Sequence, residues 1–97
     1  MTDDLADVRF AIDAVDAQVV RLLADRERLV RRAAAFKTDE QGVRAPARVE
    51  AVIGKVRALA AGAGASPDVV ERVYRAMIGA FVELELAEHH DSLKRNQ

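Results

Sequence analysis

The chain has 97 residues, 51% of them hydrophobic, with no cysteine and a formal net charge of −1. Absence of cysteine excludes a disulfide framework and a thiolate metal site, and the balanced charge argues against a general nucleic-acid binder. Met1-Thr2-Asp3-Asp4 lacks the features of a secretory signal, and no run approaches the roughly 20 apolar residues of a membrane span, so one cytoplasmic domain over residues 1–97 is expected, with no membrane partner.

The first predicted helix runs from about Asp3 to Thr38, with Thr2, Asp3 or Asp4 as its cap. Leu5, Val8, Ile12, Val15, Val19 and Leu22 recur in alternating steps of three and four, the seam of a helix packed on other helices. The next slot holds Arg26, after which Leu29, Ala33 and Phe36 resume the seam. A guanidinium keeps its charge, and burying it unpaired costs several kcal/mol, so Arg26 calls for a carboxylate of the protein or an anionic ligand. A helix of ~35 residues is about 50 Å long, too long for a compact domain with a radius of gyration near 13 Å. It cannot bury its seam on its own chain, which implies a second copy.

A break follows at Asp39-Glu40-Gln41-Gly42-Val43-Arg44-Ala45, and Pro46 suits the first turn of a second helix. That helix carries Val49, Val52, Ile53, Val56, Leu59 and Ala60 and stops at Gly62-Ala63-Gly64. Ser66-Pro67-Asp68 starts a third, with a capping hydroxyl, proline at N1 and an acid facing the helix dipole. Its stripe is Val70, Val73, Tyr74, Met77, Ile78, Phe81 and Leu84, it reaches about His90, and a frayed polar tail is expected over 91–97. The expected fold is all-α, a three-helix protomer with a long first helix.

Glu85 falls on the apolar face of the third helix, four residues after Phe81, and could meet Arg26 in a buried salt bridge. Lys37 lies eleven residues beyond Arg26, three turns plus about 20°, so both cations point the same way about 16 Å apart and can converge on a small dianion. Arg48 flanks the second stripe, where a surface role is equally consistent. His89 and His90 diverge and make no i, i+4 metal pair, and no glycine-rich phosphate loop or nucleophile constellation occurs. Neither metal nor cofactor is expected. Cations plus one carboxyl suit a reaction that needs positioning and electrostatics alone.

The chain resembles the all-α chorismate mutases and the related isochorismate-pyruvate lyases over nearly its whole length. Leu5-Ala6-Asp7-Val8-Arg9-Phe10-Ala11-Ile12-Asp13-Ala14-Val15-Asp16 is similar to the family signature, followed by Leu22-Leu23-Ala24-Asp25-Arg26, Phe36-Lys37 and Pro46-Ala47-Arg48-Val49. The steps from Arg9 to Arg26 and from Arg26 to Lys37 also match. The resemblance implies an intertwined homodimer that acts on a dianionic small molecule, rearranging chorismate to prephenate in aromatic amino acid biosynthesis. It further implies a site of Arg26, Lys37 and Arg48 from one chain and Arg9 from the other. Arg9 and Arg26 would hold the substrate carboxylates, Lys37 would donate to the ether oxygen, and Arg48 would support the ring side. Asp13 and Asp16 read as structural, orienting arginines.

Two positions depart from the family pattern. Glu85 stands where a glutamine commonly donates beside Lys37, and an ionised glutamate cannot donate, so Glu85 must carry a proton to act. Val49 stands where the simplest mutases have a glutamate that recognises the ring hydroxyl, which is closer to the lyase-type branch. Elimination of pyruvate from isochorismate to give salicylate is therefore the alternative on the same scaffold. A helical dimerisation module whose charges fix register is a remote third reading.

Overall fold

The computed structural model describes residues 4–95, apart from the side chains of Ser92 and Leu93. Thr2 and Asp3, two of the candidate caps, lie outside these residues, as does the end of the tail. Three long helices and one short helix follow in order: α1 (Leu5–Ala34), α2 (Glu40–Arg44), α3 (Pro46–Ala63) and α4 (Pro67–Arg95). Among the described residues there is no strand, and no helix is long and apolar enough to cross a membrane.

Asp4 caps α1. Its side chain accepts from the Asp7 amide at 2.8 Å, and the Asp7 side chain reaches back to the Asp4 amide, a reciprocal capping box. The helix ends at Ala34 rather than near Thr38, because the chain tightens into a turn in which the Phe36 and Lys37 amides donate to the Ala33 and Ala34 carbonyls. Asp39 then caps a new helix by accepting from the Gly42 amide at 2.8 Å. The segment expected to be a plain break thus folds into α2. Ala45, at φ 38°, is a left-handed pivot into Pro46 and α3.

Ser66 caps α4 as expected, its hydroxyl accepting from the Val69 amide at 3.3 Å. The helix runs on to Arg95 instead of fraying after His90. No proline or glycine interrupts Asp91–Arg95, and the basic Lys94 and Arg95 face the negative end of the helix dipole.

The core is small and lies where α2, α3 and α4 meet. It contains Val43, Ile53, Val56 and Ala60, with Glu85 as the buried charged residue. Ala60 rather than Leu59 takes the last core position of α3; Leu59 is 61% exposed. On α1 no residue is buried, and the seam from Leu5 to Leu22 faces solvent, as do Leu29 and Phe36. α1 meets its own chain on α4. The chain measures 64 × 27 × 16 Å with a radius of gyration of 17.2 Å, against roughly 13 Å for a compact chain of this length.

A ladder of charges ties α3 to α4. Arg75 grips Glu50 through two bonds of 2.9 Å and Glu71 through one of 2.8 Å, while Arg57 reaches Glu71 at 2.9 Å and Asp68 at 3.0 Å. The hydrogen bonds from Arg75 hold the Glu50 and Glu71 carboxyls below the usual glutamate range. A lowered folded-state pKa favours the fold at neutral pH, and that contribution disappears as acid protonates the pair. In thermal melts from about pH 7 down to about pH 3, the destabilisation caused by Arg75→Ala should shrink as pH falls. A pH-independent difference would assign the effect of Arg75 to packing instead.

Candidate active site

One cavity, of about 370 Å³, opens between the C-terminal half of α1 and the α2–α3 corner, with α4 as its floor. On α1, Arg26, Leu29, Val30 and Ala33 face it, the phase of the seam that outlasts the exposed half of the helix. Lys37 follows just beyond the helix end. The corner contributes Arg44, Ala45, Arg48 and Val49, and α4 contributes Ile78, Phe81, Val82 and Glu85. Four cations and one carboxyl therefore share an otherwise apolar chamber.

Arg26 is half-buried, and among the described residues it meets no carboxylate within ion-pair distance. Its guanidinium lies over the Phe81 ring, 5.3 Å from the centroid. A cation–π contact of this kind orients the guanidinium while leaving its five N–H donors for another group. Glu85 does not pair with Arg26, the contact the apolar pattern allowed. Both of its oxygens instead accept from Lys37 Nζ, at 2.8 and 3.1 Å, with Glu85 only 5% exposed. The reason is reach: the turn after Ala34 returns Lys37 over α4, whereas Arg26 is held on the Phe81 face.

α2 positions this pair. Gly42 lies against the stem of Lys37, where an added β-carbon would be 3.6 Å from the lysine Cβ. Val43 anchors α2 in the core, and Glu40 meets His90 of α4 at 2.8 Å, a hydrogen bond that holds the Glu40 carboxyl below its ordinary range. Arg48 is exposed on the first turn of α3 and lines the cavity.

Arg9 is not part of this cavity. It is exposed on α1, seventeen residues before Arg26, which at 1.5 Å per residue is about 26 Å along the helix. No side chain spans that distance, so within one chain the four expected cations do not assemble. Asp13 and Asp16 are also exposed and make no ion pair with an arginine among the described residues.

Arg44 joins the site as well, although the sequence places it only in the break before Pro46. Its signal was present in the capping Asp39 and in Ala45-Pro46, which together allow one helical turn before α3. The Phe81 ring beneath Arg26 is likewise legible in the sequence only as part of an apolar stripe.

Chemically, the arrangement can bind a small acceptor-rich anion by charge-assisted hydrogen bonds and stabilise negative charge that develops beside Lys37. Residues 8–86 match the model of the family described as chorismate mutase type II. The chain is also 33% identical over 78 residues to the isochorismate pyruvate lyase of Pseudomonas aeruginosa, covering 80% of this chain and 77% of that protein.

Proposed function

The chain belongs to the chorismate mutase type II family, and from that premise we propose that it rearranges chorismate to prephenate without cofactor, metal or covalent intermediate. The observation that carries this reading is Arg26, a half-buried guanidinium without a carboxylate partner among the described residues, set in the same chamber as Lys37, Glu85 and Arg48. Arg26 holds one substrate carboxylate. Lys37 donates to the ether oxygen as the carbon–oxygen bond breaks and a new carbon–carbon bond forms, with no net proton transfer. Only charge that grows in the transition state speeds the step, which is why the donor belongs beside that oxygen. Lys37 has three donors, of which the two Glu85 oxygens engage two. Once Glu85 carries a proton, it releases Lys37 and becomes a second donor.

The second carboxylate is held by Arg9 of a second copy in a homodimer. The exposed seam of α1 supports this, as does the surface of 7612 Å², against roughly 5500 Å² for a compact monomer of this mass. An excess of about 2000 Å² is within the range that stable dimers bury.

Elimination of pyruvate from isochorismate is the second reading, favoured by the identity to the Pseudomonas lyase and by Val49, which offers no hydrogen bond at the α3 wall of the cavity. Both reactions break the same kind of carbon–oxygen bond, so the same charges serve either. Purified protein given each substrate separates them. Loss of chorismate absorbance with formation of prephenate is the expected result, salicylate fluorescence from isochorismate would establish the alternative, and inertness to both would overturn the enzymatic reading.

A further inference from the structure

The cavity holds more positive charge than this division of labour uses. Lys37 is matched by Glu85, Arg26 takes one carboxylate, and Arg48 flanks the ring, which leaves Arg44. This arginine is exposed at the α2–α3 corner, lines the cavity, and among the described residues has no carboxylate within ion-pair distance. Glu40, one turn earlier on α2, is hydrogen-bonded by His90, and Arg44 adds only a through-space attraction to it. The position of Arg44 is fixed on both sides: Val43 before it is buried in the core, and Ala45 after it takes the left-handed conformation that turns the chain into Pro46. A non-glycine residue at positive φ is costly and persists where its surroundings over-determine it. The backbone at the corner is thus held so that a cation stands at the chamber's edge.

We propose that Arg44 is a further substrate-contacting residue, a capture cation at the mouth of the site that draws in the dianion and contacts it on entry. The proposal rests on the functional reading above. A rim charge of this kind acts on encounter and is screened by salt, whereas a group beside the breaking bond acts on turnover. Arg44 should therefore govern KM and its ionic-strength dependence and leave kcat alone.

The test is steady-state kinetics of the full chain with whichever substrate it turns over, for wild type, Arg44→Ala, Arg44→Glu and Arg44→Lys. Arg44→Ala should raise KM about tenfold at low salt with kcat within about twofold, Arg44→Glu should raise it further, and Arg44→Lys should stay within about threefold of wild type. The differences should largely vanish in about 0.5 M sodium chloride. Unchanged KM in the Ala and Glu variants would overturn the proposal. So would a fall in kcat at constant KM, which would mean that Arg44 only supports α2 beneath Lys37. Calorimetric titration with malonate, a small dicarboxylate, provides a readout independent of turnover. Weaker, salt-sensitive binding to Arg44→Ala supports the capture role even if neither substrate reacts, and equal affinity in the two proteins contradicts it.

Discussion

Arg26→Ala should lower kcat/KM by about a thousandfold, the effect of losing a charge-assisted, bidentate grip worth about 3–5 kcal/mol in a partly desolvated site. Alanine is the best helix former and Arg26 anchors no carboxylate of the described chain, so α1 should survive intact, which circular dichroism and a thermal melt check. The effect should fall on KM and kcat together, because in the proposed site Arg26 would hold the substrate in the ground state and keep it aligned through the transition state. Lys37→Ala should cost at least as much, but through kcat. Its interpretation is less direct, since it also strands Glu85, 5% exposed, without its partner. Arg26→Ala is the cleaner test for that reason. Wild-type activity in it would remove the site from this cavity.

Glu85→Gln should change the pH profile more than the maximum rate. On the proposed reading, the second donor to the ether oxygen exists only while Glu85 is protonated, and an ionised Glu85 also engages Lys37. If the proton on Glu85 supplies the second donor, turnover falls as rising pH removes it, down to the level that the third Lys37 donor and Arg26 sustain. A glutamine amide donates at any pH and neutralises no charge, so the variant should keep a flat profile. With chemistry rate-limiting, a wild-type rate indifferent to pH between about 5 and 8 would refute the role given to Glu85.

The long helices were legible in the sequence because each carries a clear period and end signals: the acidic cap at Asp4, Pro46 at N1, and Ser66 with Pro67. Glu85 was legible as a carboxyl on an apolar face. Its partner was not, since the choice between Arg26 and Lys37 depends on a three-residue turn after Ala34 that no hydrophobic period encodes. α2 escaped for a similar reason: five residues are too few to show a helical period, and its stability comes from Val43 in the core and Asp39 as a cap. Arg44 becomes legible as a site residue only once α2 places it at the corner. The exposed seam of α1 differs in kind. Its length alone called for a second copy, and in the single chain that seam is uncovered from Leu5 to Leu22.

In the proposed site, the substrate is gripped by Arg26 of one chain and Arg9 of another. Mixing two inactive variants, Arg9→Ala and Arg26→Ala, after unfolding and refolding together tests this arrangement most directly. Half of the randomly formed dimers pair one variant with the other, and each such dimer has one intact and one doubly defective site, so about a quarter of wild-type activity should return. Mixed dimers that form yet recover no activity would show that Arg9 and Arg26 do not share a site.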